Sequence, residues 1–173
     1  MKKFALLLNL LLLATIFVAC AQEDKSKRPS PPAIAKETIS SGANVSINYS
    51  QPSVKGRTIG KDLEPMAGKV WRAGANEATV FETDKDVTIE GKSLPAGKYA
   101  FFTIDNGSDW TLIFNKTSNQ WGAYDYKEAD DALRVTVKPE KAKSFSEKLA
   151  YNVDKSGKVS LLWGDHDVSF NVK

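Results

Sequence analysis

Tyr99-Ala100-Phe101-Phe102-Thr103-Ile104 and Trp110-Thr111-Leu112-Ile113-Phe114 decide the fold. A strand with one face in water alternates apolar and polar residues, so a run that is apolar at both parities belongs to a strand covered on both sides. Both runs are rich in aromatic and β-branched residues, which suit a pleated surface. Asp105-Asn106-Gly107-Ser108 between them is a hairpin turn. Two central, adjacent, antiparallel strands are therefore the nucleus of the reading.

The flanks are simpler. Val45, Ile47 and Tyr49 alternate with polar neighbours, as do Val87 and Ile89, Leu133, Val135 and Val137, Leu149, Tyr151 and Val153, and finally Val168, Phe170 and Val172. Each set predicts a strand with one dry and one wet face. Glu90-Gly91-Lys92 and Lys155-Ser156-Gly157 read as further hairpin turns, and Pro95-Ala96-Gly97 leads the chain into the Tyr99 strand. Only Pro139 to Lys148 and Lys61 to Ala67 offer short helical turns. The expected fold is all-β, an antiparallel β-sandwich or flattened barrel of about eight to ten strands.

Composition narrows the function classes. The 173 residues are 42% hydrophobic and 26% charged, with one Cys and one His. A single Cys excludes an intramolecular disulfide framework, and a single His excludes multi-His zinc sites. Lys and Arg number 24 against 21 Asp and Glu, but Lys2 and Lys3 stand at the N-terminus, and without them the balance is 22 to 21. Basic residues are scattered rather than striped, which argues against nucleic acid as a partner. No nucleotide, cofactor or hydrolase motif is present, so no cofactor is expected.

The N-terminus carries an address. Lys2 and Lys3 precede an apolar stretch from Phe4 to Val18, too short to span a bilayer and suited to a secretory signal. Phe17-Val18-Ala19-Cys20 resembles the lipobox of bacterial lipoproteins, in which the Cys thiol takes a diacylglyceryl group; cleavage at Ala21 for soluble export is the competing expectation. Residues 21–32 are charged and then proline-rich, a composition that favours a tether. The expected organisation is a signal peptide over 1–19, lipidated Cys20 with a tether over 20–35, and a single β-domain over 36–173. The implied partner is a membrane, through the anchor at Cys20, most naturally the outer membrane of a bacterial envelope.

Several ordered blocks carry a resemblance. They are Tyr49-Ser50-Gln51-Pro52-Ser53-Val54-Lys55-Gly56-Arg57, Lys69-Val70-Trp71-Arg72-Ala73-Gly74-Ala75-Asn76-Glu77-Ala78-Thr79, Leu94 to Tyr99, Trp110 to Lys116, Trp121-Gly122-Ala123-Tyr124-Asp125-Tyr126 and Leu133-Arg134-Val135. Together they resemble domain-of-unknown-function family 2911, exported proteins and lipoproteins common in Bacteroidota. The resemblance implies an exported β-domain and no assigned activity. Gln51 stands where the family pattern has Arg, and Pro65-Met66 where it has Pro-Tyr.

Two segments exceed what strand physics requires. In Trp71 to Glu77, Ala73-Gly74-Ala75 admits close approach of another backbone or of a ligand, bracketed by Arg72, Asn76 and Glu77. Such a cluster can hold a carboxylate, a phosphate or a sugar; the alternative is a structural bulge with Trp71 in the core and Arg72 paired to an acid. Trp121 to Tyr126 places three aromatics on a loop after Asn115, either a stacking surface for sugar rings or a plug for the core. The candidate ligand-binding set is Arg57, Arg72, Asn76, Glu77, Asn115, Trp121 and Tyr124, for a small polar ligand or glycan. No catalytic or metal-ligating residue is assigned. Glu77 with Asp125, Asp130 or Asp131 would be needed for a carboxylate-dependent glycan hydrolase, and a structural role in an envelope assembly is a further alternative. His166, between Asp165 and Asp167, reads as a loop residue before the last strand.

Overall fold

The computed structural model describes residues 24–173. The expected signal peptide and Cys20 lie outside the described residues. Eleven strands follow in order: β1 (Pro32–Thr38), β2 (Asn44–Ser50), β3 (Val70–Trp71), β4 (Thr79–Thr83), β5 (Val87–Ile89), β6 (Lys92–Leu94), β7 (Gly97–Asp105), β8 (Trp110–Asn115), β9 (Asp131–Val137), β10 (Glu140–Val153) and β11 (Lys158–Asn171). The helical content of the described residues is two single 3-10 turns, Lys25–Lys27 and Glu128–Asp130.

The principal sheet has the order β1-β2-β4-β7-β8-β9, with β3 also on β7. Every pairing between these strands is antiparallel. The long β10–β11 hairpin forms the facing layer, and the β5–β6 hairpin closes one side. This is an open sandwich rather than a flattened barrel, because β1 and β9 end the sheet without pairing to each other.

The central strands bury both faces, as their composition predicts. On the inner face Phe81, Phe101 and Phe114 meet Phe170 from β11, with ring centroids of Phe114 at 5.1 Å from Phe81, 5.3 Å from Phe101 and 6.0 Å from Phe170. Tilted and edge-to-face contacts of this kind add to the burial of the rings themselves. The outer face carries Ala100, Phe102 and Ile113, fully buried with Ala78 beneath Val70, Ile104, Ala123 and Tyr126. Tyr126 lies edge-on to Phe102 at 5.1 Å. A cover on the outer face is thus required, and the 121–126 loop supplies it.

Strand β7 also explains the Trp71–Thr79 segment. Trp71 pairs opposite Thr103 and Thr79 opposite Phe101, so residues 72–78 together stand opposite the single residue Phe102. In effect β3 and β4 are one strand interrupted by a looped-out excursion. Thr79 closes it by donating its N–H to the Arg72 carbonyl at 3.3 Å. The bulge expected from sequence is present in enlarged form.

Four expectations require correction. Residues 140–148 extend β10 rather than forming a helix; register shifts between Lys141 and Ser146 and between Ser146 and Ala150 break the strand period there. Residues 61–67 form turns beside an isolated bridge between Ile59 and Leu63. His166 is not in a loop but within β11, opposite Lys141, with its ring 5.7 Å from Trp110. The ordered domain begins before residue 36, because β1 starts at Pro32 and Gln51 donates its N–H to the Pro31 carbonyl at 2.9 Å.

Phe114 touches three other rings with no exposed surface. Phe114→Ala is expected to destabilise the fold by about 3–5 kcal/mol, read as a lowered urea midpoint at unchanged slope; a loss below about 1 kcal/mol would show that the ring cluster does not hold the layers together.

Candidate functional site

The looped-out segment is built for rigidity. Ala73 and Asn76 hold left-handed backbone at φ 51° and 58°. A Cβ on Gly74 would lie 2.7 Å from Thr79 Oγ1 and 3.3 Å from the Ser50 carbonyl, so only glycine fits. The close approach foreseen for Ala73-Gly74-Ala75 is therefore made by the protein's own strands. The Ala73 carbonyl accepts from Tyr151 Oη at 2.7 Å and Thr79 Oγ1 at 3.0 Å, both inside the core. Burial pushes the Tyr151 hydroxyl well above its ordinary range, so it stays a donor. Trp71 is buried and donates Nε1–H to the Gly74 carbonyl at 3.2 Å.

This frame projects Arg72 and Asn76 to one side. Arg72 Nη1 donates to the Asn76 carbonyl at 2.8 Å, and its guanidinium carbon sits 5.8 Å from the Tyr124 ring centroid. Gly122, at φ 66°, lets the covering loop lie against that guanidinium, since a Cβ there would stand 3.0 Å from Arg72 Nη1. Among the described residues Arg72 is not paired to an acid, contrary to the scaffold alternative. Arg57 comes from the turn after Val54 and donates to the Val54 and Ser53 carbonyls at 3.1 and 2.8 Å.

These groups share one concavity of about 420 Å³, lined by Arg57, Arg72, Asn76, Trp121 and Tyr124 together with Ser30, Pro52, Leu63, Glu64, Trp71, Gly74, Ala75 and Trp163. Its size falls within the range of small-molecule sites. Trp121 and Tyr124 are 51% and 78% exposed, so neither plugs the core; Tyr126 does. Their loop is held from behind by the Glu77–Trp121 bridge and by the Ala78 N–H, donated to the Gln120 carbonyl at 3.0 Å. A larger groove of about 540 Å³ lines the outer strands between Ile34 and Asp84, but its three acids are already engaged: Asp84 accepts twice from Asn44, Glu82 pairs with Lys98, and Glu37 accepts the Thr38 N–H.

Two candidates fall outside the concavity. Asn115 is fully buried, donating to the Lys127 carbonyl at 3.0 Å and to Asp131 Oδ1 at 2.8 Å, and it bridges the register shift between β8 and β9. It is scaffold. Glu77 faces a smaller pocket of about 190 Å³ on the other side of the segment. There Lys25 Nζ donates to its Oε1 at 2.8 Å, while Arg28 Nη1 reaches both oxygens at 3.0 and 3.1 Å. Burial raises its pKa, but the hydrogen bonds from Lys25, its own backbone N–H and Arg28 outweigh that and hold it at about 2. Glu77 is thus ionised at neutral pH and cannot serve as a proton donor. Asp125, Asp130 and Asp131 line neither pocket, and Asp131 is taken by Asn115, Tyr126 and Arg134.

The segment expected to be a tether is instead pinned across this region. Besides the grip on Glu77, the Ser30 carbonyl accepts from Asn76 Nδ2 at 2.9 Å, and the Arg28 guanidinium lies 6.0 Å from the Trp121 ring centroid. Ser30 thereby forms part of the wall, while Lys25 and Arg28 line the smaller pocket around Glu77. Sequence reasoning missed Ser30, Glu64 and Trp163 as lining residues; their polarity and size carried no signal of a shared cavity. Of the two departures from the resemblance, Gln51 donates to the Leu149 carbonyl at 2.8 Å, and neither it nor Met66 lines the concavity.

Residues 30–172 match the sequence model of a family described as "Protein of unknown function (DUF2911)". The chain belongs to this family. The matched region contains every residue lining the concavity, from Ser30 to Trp163. No curated protein and no solved structure matches the chain.

Because the Glu77 pKa is lowered from 4.5 to about 2, the grip on Lys25 and Arg28 is complete above about pH 4.5 and is lost as the pH falls through 2. Carboxyl NMR titration of Glu77 is expected to show that low midpoint. At neutral pH, Glu77→Gln is expected to speed tryptic cleavage after Lys25 and Lys27 about two- to fivefold, the effect of a part-exposed pair worth roughly 0.5–1 kcal/mol. An ordinary midpoint with unchanged cleavage would mean that the segment is not held by Glu77.

Proposed function

We propose that this protein is a non-enzymatic binding module for a small polar ligand or glycan, held at a bacterial envelope membrane through lipidated Cys20. The observation that carries the binding role is the pairing of Trp121 and Tyr124, both exposed, with Arg72 and Asn76 on a rigid frame around one concavity. Exposed aromatic faces offer large contact area at small entropic cost, and they suit the apolar faces of sugar rings. The fixed polar groups beside them supply orientation. A frame in which Gly74, Ala73 and Asn76 leave no slack avoids the ordering cost that a flexible site would incur on binding. Carboxylate-pair chemistry gains no support from this geometry, since Glu77 and the aspartates do not meet in either pocket.

Titration of the protein with malto-, chito- and galacturonan trimers, followed by tryptophan fluorescence, tests the binding role. At least one series is expected to saturate, and Trp121→Ala or Tyr124→Ala is expected to weaken it about five- to tenfold, equivalent to roughly 1–1.4 kcal/mol of lost stacking. Silence from all three at millimolar concentration defeats the proposal. For the anchor, labelled palmitate is expected on the wild-type chain and not on Cys20→Ala; label that survives the substitution removes Cys20 from the account.

A further inference from the structure

We infer that the ligand of this concavity carries a carboxylate on a pyranose-sized ring, as a uronic acid does; the inference rests on the binding role proposed above. The chain has four arginines, at 28, 57, 72 and 134. Two are ion-paired: Arg28 with Glu77, and Arg134 with Asp131 and Glu128. The other two, Arg57 and Arg72, have no carboxylate partner among the described residues, and both line the same concavity. Their protein contacts are backbone carbonyls, at Ser53 and Val54 for Arg57 and at Asn76 for Arg72. Such contacts fix the direction of each guanidinium without neutralising it, and they leave N–H donors on both forks unused by protein.

A guanidinium is the side chain best matched to a planar oxyanion, because its fork presents parallel donors to two oxygens at once. Half-burial strengthens this preference, since a charge partly withdrawn from water gains more from a counter-ion than one on the open surface. Arg72 is half-buried and clamped between Asn76 and the Tyr124 ring, so it is already oriented. The single acid on the lining, Glu64, is itself occupied: its Oε2 accepts the Met66 N–H at 2.6 Å. Two cations and one anion leave one positive charge to be matched. That balance fits a monoanionic carboxylate better than a phosphate dianion, which would crowd Glu64. Trp121 and Tyr124 then take the ring to which the carboxylate is attached.

The test compares three probes on the full domain: trigalacturonate, its methyl ester, which keeps the rings and removes the charges, and glucose 6-phosphate. Trigalacturonate is expected to bind at least about tenfold tighter than its ester, with an affinity that falls as salt is raised. Arg72→Gln and, independently, Arg57→Gln are expected to erase most of that difference, so that each variant binds acid and ester within about twofold of one another. Arg57 is exposed and holds only neighbouring carbonyls, so its variant folds even if Arg72→Gln loosens the loop. Equal binding of acid and ester, both abolished by Trp121→Ala, would overturn the carboxylate inference and leave the binding role standing. Preference for glucose 6-phosphate would overturn it in favour of phosphate. No binding of any probe or of the neutral oligosaccharides would overturn both.

Discussion

Everything in this domain is organised around strands β7 and β8, which bury both faces. One face is satisfied by the facing hairpin, through the Phe81, Phe101, Phe114 and Phe170 cluster. The other would expose Phe102 and Ile113 if nothing lay over it, and each such side chain is worth roughly 1.5–3 kcal/mol when buried. The chain answers this need with irregular structure rather than with another sheet laid over the outer face. The 121–126 loop covers Phe102 with Tyr126 and Ala123, and the interrupted strand β3–β4 brings Ala78 in from the side. The concavity is what remains where those two irregular pieces meet.

This arrangement explains why the site is polar and aromatic at once. A loop that must bury Tyr126 while reversing direction presents its other residues, Trp121 and Tyr124, outward. An excursion of residues 72–78 opposite Phe102 must satisfy its own backbone away from the sheet ladder. It does so with Arg72 across the loop to the Asn76 carbonyl and Asn76 across to Ser30. The polar side chains are therefore part of the support of the loop as well as of its surface.

Legibility in the sequence followed the hydrophobic pattern. The runs at Tyr99–Ile104 and Trp110–Phe114 declared two-sided strands because burial leaves no polar parity, and the alternating flanks placed five further strands. Strand β1 was hidden because its inward positions are Ala33 and Ala35 while its one large apolar residue, Ile34, faces outward. The first half of β10 was hidden because bulges destroy alternation and leave a charged, helix-like composition. At the site, Arg72, Asn76, Trp121 and Tyr124 were legible as residues that strand physics did not require. Glu77 and Asn115 had the same chemical appearance but different neighbours, and neighbours across the fold are what a single sequence does not display. The family match extends the fold to its relatives without adding a chemistry.

The pinned segment before β1 has a geometric meaning. Whatever precedes residue 24 connects to the sheet through Lys25, Arg28 and Ser30, which also hold Glu77 and Asn76. Of these contacts, the one between Asn76 and the Ser30 carbonyl lies on the wall of the concavity, just before the β1–β2 ladder begins. The path by which the chain enters the sheet and the shape of the cup are not independent quantities in this protein.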